Sequence, residues 1–397
     1  MNKINSIENI IEIKTELRSC LCCEENDYEL MWASENIVVR NENTWKFPVN
    51  ISICRNCGFC FSTPGPNADD LEKYHEDGYV GFKGIGLPYS IKERLRILKK
   101  YKVLNGSFLE IGGDGPGEFH QQCSEFFKTI ISIEITQDFK NKSININTLK
   151  DKINVLVHYD VLEHVLNVKQ FLLDCYDALK EDGIMICEVP NLKLYPENLL
   201  LQEFEHVNHF TISSLSLIAG RIGFDLVEFD EICSRPYGFV AVFKKSNNTK
   251  AYYKKNYNEF NEAREAIIGG LNQIRNNDAQ LIDVRNKINH LTQLNKKVVL
   301  WGVTDLLRSL LKGIKITDNI IIVDSDPRRK DDLIIDGIKV IEPIKCIKTF
   351  LNTDLLVICA PRYVSEILAW IENKAGKVFN NESLSVIGIN SSGKTLR

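Results

Sequence analysis

Solid apolar runs and spaced apolar positions alternate along the chain, and each spacing predicts its own element. Phe108–Ile111, Thr129–Ile133, Val155–Tyr159 and Ile184–Val189 are short, almost continuous apolar runs. Such runs read as strands covered on both faces, as in a parallel sheet. Asp69–Tyr74, Ser90–Tyr101 and Phe171–Leu179 carry helical spacing, and Glu-Asp-Gly183 stops the last of them. Ser213–Arg221 is a further helix with Thr211 placed to cap it, and Ile222–Phe229 with Gly238–Lys244 predicts an antiparallel strand pair. In Ala251–Lys297 the residues Ile267, Leu271, Ile274, Leu281, Val284, Ile288, Leu291 and Leu294 recur at steps of three, four or seven. This helical seam, with a break expected at Gly269-Gly270, pairs within the chain or with a second copy as a homodimer. Val298–Trp301, Ile320–Val323, Gly337–Val340 and Leu355–Cys359 then repeat the strand-helix alternation of a doubly wound unit. The fold class is α/β, in four parts: a cysteine-rich module at 1–66, a central α/β domain at 67–250, a helical connector at 251–297 and a second Rossmann-like domain at 298–397.

Composition narrows the function classes. The chain has 397 residues, 44% hydrophobic and 26% charged, with a formal net charge of −4, so no overall basic field draws nucleic acid. No apolar run approaches the ~20 residues that span a membrane. Met1–Leu17 mixes Lys, Glu and Asn with Ile and predicts no secretory leader. Of the 12 Cys, Cys20, Cys22, Cys23, Cys54, Cys57 and Cys60 crowd the first sixty residues. That unevenness predicts a metal site in a reducing, cytoplasmic compartment rather than a disulfide framework. Cys20-Leu-Cys-Cys23 and Cys54-Arg-Asn-Cys57 are two Cys-x-x-Cys knuckles around a strand-like, loop-rich insert. Four thiolates at that spacing close a tetrahedral structural zinc site, with Cys20, Cys23, Cys54 and Cys57 as ligands and Cys22 and Cys60 as alternates. A redox-active pair is the competing reading. The module's six basic residues face nine acidic ones, which disfavours phosphate contact.

The candidate binding turn is Ser107–Phe119, where an apolar run breaks into Gly112, Gly113, Gly115 and Gly117. Bare backbone N–H groups then line the carboxyl edge of the sheet, where ligands bind. Glu134, closing the next strand, is placed to hold the two hydroxyls of a ribose. NAD is disfavoured: counting Gly-x-Gly-x-x-Gly from Gly113 puts Glu118 at the third glycine. Glu110, just before the glycines, suits a ligand carrying positive charge.

Glu110-Ile-Gly112, Glu134, Asp160-Val-Leu-Glu-His-Val165 and Gly183–Asn191, in that order, resemble the class I S-adenosylmethionine-dependent methyltransferases over about residues 104–243. The glycine loop is one residue longer than the family's pattern. The resemblance implies a Rossmann-like domain that binds S-adenosylmethionine through Glu110, Gly112, Gly113, Gly115, Gly117 and Glu134. The block of Tyr159, Asp160 and Val161 would flank the cofactor's adenine and methionine portions, with His164 structural. Aromatics before the first strand, Tyr79 and Phe82, would cover the cofactor or simply pack a lid.

Phe204-Glu-His-Val-Asn-His-Phe-Thr211 puts Glu205, His206 and His209 within five residues at the sheet's rim. A neutral imidazole is suited to take a proton near neutral pH; the alternative is a loop that only docks. The three-part layout resembles sugar-nucleotide C-methyltransferases, whose Glu-His pair matches Glu205 and His206. Here Glu203 stands where that family carries Tyr, and Gly302-Val-Thr-Asp replaces a Gly-Ala-rich turn. The resemblance implies C-methylation of a nucleotide-linked ketosugar. His206 would be the base, oriented by Glu205, with His209 or Tyr79 near the enolate oxygen. O-methylation of a hydroxyl and a non-enzymatic zinc-ribbon scaffold are the competing readings. Arg308, Arg328, Arg329, Lys330 and Arg362 near the second domain's strand ends would meet a diphosphate or be ordinary solvated charges.

Overall fold

A computed structural model describes residues 9–40, 43–78, 90–113, 117–133, 146–202, 204–246, 257–326, 334–335 and 337–388. Tyr79, Phe82, Gly115, Glu134, Glu203, Arg328, Arg329 and Lys330 lie outside them. The chain divides into two compact units, residues 1–195 with 202–268 and residues 196–201 with 269–397. The cysteine-rich module and the central sheet share the first unit.

In that module β1 (Asn9–Glu12) pairs parallel with β3 (Asn43–Cys54), which pairs antiparallel with β2 (Tyr28–Arg40) and β4 (Cys60–Ser62). The insert between the knuckles is therefore a long hairpin. Its period-two pattern buries Trp45, Phe47, Val49, Ile51 and Ile53 on one face. Tyr74 of α1 (Ala68–Gly78) meets Trp45 and Phe47 edge-on, at centroid distances of 5.4 and 5.5 Å.

The central sheet is built from β5 (Val103–Ile111), β6 (Phe127–Ile133), β7 (Ile153–Tyr159), β8 (Leu179–Pro190), β10 (Phe224–Asp230) and β11 (Gly238–Lys245), ordered β10-β11-β8-β7-β5-β6. Strands β8, β7, β5 and β6 run parallel, and β11 is antiparallel to both neighbours. Helices α2 (Ile91–Leu98), α3 (Glu118–Cys123), α4 (Val168–Ala178) and α5 (Ile212–Ile222) cover the sheet. Alternate residues of one strand enter different cores: Leu109, Leu156 and Met185 join one, while Phe108, Val155, Val157 and Ile186 join the other. That division is why the strands look continuously apolar in sequence. Thr211 caps α5 through a reciprocal box with Ser214, and Asn167 starts α4 earlier than its apolar spacing suggested.

The short strand β9 (Asn208–His209) pairs with β4 of the module. Arg18 fastens that junction. Its Nη1 donates to the carbonyls of Ser62 and Val207, and its Nη2 to the Leu166 carbonyl and Asn208 Oδ1, at 2.9–3.2 Å. The long helix α6 (Tyr257–Gln293) runs unbroken through Gly269-Gly270, against the expected break. Gly269 marks a close approach instead: a Cβ there would lie 2.6 Å from Pro196 Cγ.

The second unit's sheet contains β12 (Val298–Trp301), β13 (Ile320–Val323), β14 (Ile334–Ile335), β15 (Ile338–Ile341), β16 (Leu355–Ile358) and β17 (Leu384–Val386), ordered β14-β15-β13-β12-β16-β17. All pairings except β14 with β15 are parallel. Seam residues Leu281, Val284 and Ile288 join its core. Its first turn is Gly302 at φ +104°, and Asp324 Oδ2 accepts from the Val303 N–H at 2.6 Å. Among the described residues no helix is long and apolar enough to cross a membrane.

Replacing Arg18 by Met keeps the stem and removes the donors. At roughly 1 kcal/mol for each of the four lost hydrogen bonds, the first unit should lose about 4 kcal/mol, read as a drop of about 8–16 °C in thermal midpoint. An unchanged midpoint would mean that water replaces the guanidinium at no cost.

Candidate functional site

The parallel strands β5, β7 and β8 end together, and acidic side chains converge at that carboxyl edge. Glu110, the penultimate residue of β5, is buried. Its Oε1 lies 3.8 Å from Arg94 Nη1, and its Oε2 lies 2.5 Å from His120 Nε2. Gly112 turns the chain at φ +75° while its N–H donates to the Ile133 carbonyl. Gly113 must stay bare, because a Cβ there would fall 2.4 Å from Glu110 Oε2. Gly117 precedes α3 in extended backbone.

Arg94 is the residue that spacing alone did not reveal. It stands on the apolar stripe of α2 with Ile91, Leu95 and Leu98, and a cation on such a stripe is the signal that marks it. Its guanidinium lies 3.9 Å from the centroid of the Tyr159 ring, and its Nε donates to Ser234 Oγ. Ser234 Oγ donates in turn to Glu188 Oε1 at 2.6 Å, and the Ser234 and Arg235 N–H groups donate to the same carboxylate. Arg235 Nε reaches Asp160 Oδ2 at 2.8 Å. Asp160 itself holds φ +54°, and its N–H donates to the Glu188 carbonyl.

Glu110, Asp160, Glu163 and Glu188 thus meet with Arg94 and Arg235 interleaved, a field that suits a ligand bearing a cationic centre. Burial pushes Glu188 up, and burial with Asp160 beside it pushes Glu163 well above the usual carboxylate range. Tyr159 Oη and Asp160 Oδ1 are buried without a hydrogen-bond partner among the described residues. These orphaned atoms, the bare glycines and the acidic edge fit a cofactor laid across the turn. Val161 follows directly and is buried.

The loop 204–210 is tied to the same edge: the Val207 N–H donates to the Glu163 carbonyl, and Asn208 Nδ2 donates to the Leu162 and Val165 carbonyls. The Glu205 carboxylate accepts from Tyr74 Oη at 2.6 Å, and the Glu205 carbonyl faces His164 Nδ1 at 3.2 Å. The ring beside His206 is His164, edge-on at 4.8 Å between centroids. Burial and neighbouring His164 hold His206 well below the usual imidazole value, so its ring is neutral at pH 7. His209 is buried, bonded through Nδ1 to Tyr195 Oη at 2.7 Å and lowered by burial to about 3. Sequence placed these histidines together but not their partners, which come from α1, from the turn after β7 and from residue 195.

The four predicted cysteines converge. Cys20, Cys23, Cys54 and Cys57 have sulfurs within 4.8 Å of one another, with Cys20–Cys57 and Cys23–Cys54 at 3.4 Å. Tetrahedral zinc–thiolate geometry needs sulfurs about 3.8 Å apart, so the cluster fits a small zinc module. Cys22 turns away to the Ser214 carbonyl at 3.6 Å, and Cys60 lies in β4.

Residues 87–229 match the sequence model of a family described as a methyltransferase domain. That match lies over the central α/β sheet, whose strand arrangement is the Rossmann-like one of methyltransferase domains. No curated protein matches the chain. Among solved structures it is similar to an S-adenosylmethionine-dependent methyltransferase from Archaeoglobus fulgidus, at 18% identity and TM-score 0.34, covering 42% of this chain and 98% of that one. It is also similar to a 1,6-didemethyltoxoflavin-N1-methyltransferase from Burkholderia thailandensis, at 11% identity and TM-score 0.35, covering 45% and 87%. A methyltransferase from Mesorhizobium loti has 12% identity and TM-score 0.32, covering 39% and 100%.

Elemental analysis of freshly reduced protein should find about one zinc per chain. Cys54→Ser should lose it and expose the module to protease, because metal binding contributes to folding there; a zinc-free, folded wild type would contradict this. Gly113→Ala should displace the Glu110 carboxylate and lower S-adenosylhomocysteine affinity about tenfold or more, a cost of ~1.4 kcal/mol. Calorimetry showing unchanged affinity would detach Glu110 from the cofactor site.

Proposed function

We propose that the chain transfers a methyl group from S-adenosylmethionine to a nucleotide-linked ketosugar, at a carbon made nucleophilic by His206. The observation that carries this reading is the bond from the Val207 N–H to the Glu163 carbonyl. It holds the histidine loop against the block flanking the candidate cofactor edge. Glu110, Gly112, Gly113, Gly115, Gly117, Glu134, Tyr159, Asp160 and Val161 would hold the cofactor. Bound there, S-adenosylmethionine supplies an electrophilic methyl group, which leaves the protein to align and activate the acceptor.

A carbon next to a ketone attacks only after losing a proton, and it needs a partner for the enolate oxygen. His206 suits the first task because burial keeps it neutral, although the same burial weakens it as a base. Glu205 supports it at one remove: its carboxylate anchors the loop to Tyr74, and its carbonyl fixes the neighbouring His164 ring. His209 Nε2, buried and without a partner among the described residues, suits the enolate oxygen, and the resemblance offers Tyr79 for the same role. The nucleotide-sugar class rests on the three-part layout and the Glu205-His206 pair. The four thiolates are a structural centre, because a closed set leaves no position for substrate.

His206→Ala should keep S-adenosylhomocysteine affinity and lose about 10²–10⁴ in methyl transfer. With S-adenosylhomocysteine in place of the donor, wild type should exchange a substrate C–H for solvent deuterium, and mass spectrometry of the product should place the methyl on carbon. Full activity in the variant would remove the base; a methyl on oxygen would turn the reading to hydroxyl methylation.

A further inference from the structure

Glu163, His164 and His206 form a cluster that the proton-transfer reading does not use as a whole. One ligating atom from each lies within 4.8 Å of the others. Glu163 is 1% exposed and His206 9%. Glu163 Oε2 and His206 Nδ1 are shielded from solvent and have no hydrogen-bond partner among the described residues. A buried carboxylate oxygen without a donor is costly, since its desolvation is not repaired. Arg235, the cation that acts on Glu163 from the connection between β10 and β11, is bonded to Asp160. A second acid beside Glu163 deepens the negative potential there.

His164 adds a tautomer argument. A backbone carbonyl only accepts, so the His164 nitrogen facing the Glu205 carbonyl at 3.2 Å carries the proton. That leaves Nε2 with its lone pair. Metal-ligating histidines have this arrangement, one ring nitrogen donating to a carbonyl and the other turned to the ion. The cluster therefore offers one carboxylate oxygen and two imidazole nitrogens, a donor set suited to a divalent first-row transition ion. Ligands on one such ion stand about 3–4 Å apart, so side-chain rotation of about 1 Å closes the present spacing.

We propose that Glu163, His164 and His206 form a second metal site, separate from the four thiolates, for a divalent transition ion. Occupying it withdraws His206 from proton abstraction. The inhibitory half rests on His206 being the base; the binding half does not. An ion here silences the acceptor side while the glycine turn and Glu110 remain available to the cofactor.

Cobalt(II) separates the two sites by their donors. Protein whose thiolate site is filled with zinc is titrated with Co²⁺. The expected result is one further equivalent with weak visible ligand-field bands and no thiolate-to-cobalt charge transfer. Glu163→Gln and, independently, His164→Asn should each lose that equivalent, keep the zinc and retain the wild-type circular dichroism. Filling the site should lower wild-type methyl transfer at least tenfold and leave S-adenosylhomocysteine affinity unchanged. No second equivalent, a second equivalent showing charge-transfer bands, or one retained in both folded variants would overturn the site. Full turnover with the site filled would overturn the inhibition. An enzyme inactive before cobalt is added, yet taking up the second ion, would support the site and refute the base reading.

Discussion

Three stretches of chain present backbone carbonyls to one partly buried point beneath the histidine loop, and a single guanidinium meets them. Ser62 ends a strand of the cysteine module, Leu166 follows the edge of β7, and Val207 lies inside the loop itself. A point where only acceptors converge requires a donor with no acceptor of its own and several N–H groups in a fixed fork, which is arginine. Arg18 stands two residues before Cys20, so the fork and the first knuckle are placed together. The Thr63 hydroxyl closes the junction by accepting from the Arg18 N–H and donating to the Arg18 carbonyl. The module is thus built into the wall of the candidate site. Cys20, Cys54 and Phe61 accordingly share a core with Leu109 and Leu156 of the central sheet.

The second organising feature is the parallel sheet's carboxyl edge. Parallel strands covered on both faces deliver their ends to one rim, and here those ends carry Glu110, Asp160 and Glu188. Such a concentration of acids is tolerable because Arg94 and Arg235 are threaded between them and Ser234 hydrogen-bonds one of them. His206 and His209, buried like Glu110 and Glu188, are held neutral by that burial. Paired charges and neutral rings therefore adjoin at one edge of the sheet.

Much of this was legible in the sequence, for identifiable reasons. Strands buried on both faces leave continuous apolar runs, so β5, β7, β8, β12, β13 and β16 were readable. The thiolates were readable because knuckle spacing is local. Arg94 was not, because one cation in a basic helix means nothing until the helix's inward face is known. The partners of Glu205 were equally hidden, since Tyr74 lies 131 positions away. Gly269-Gly270 misled because glycine marks either a flexible joint or a tight approach, and only Pro196 against Gly269 distinguishes them.

Asp160 joins two demands that are normally separable. Its side chain receives Arg235, while its backbone adopts a left-handed conformation that asparagine and glycine also accept and branched residues do not. Drift at this position is accordingly channelled. A change to asparagine preserves the turn and surrenders only charge, a change to glycine surrenders the Arg235 contact as well, whereas glutamate, chemically the nearest substitute, keeps the charge but strains the main chain. Among descendants of this sequence, the acid here should be exchanged for a neutral residue more readily than for its own homologue, an inversion of the usual similarity ranking.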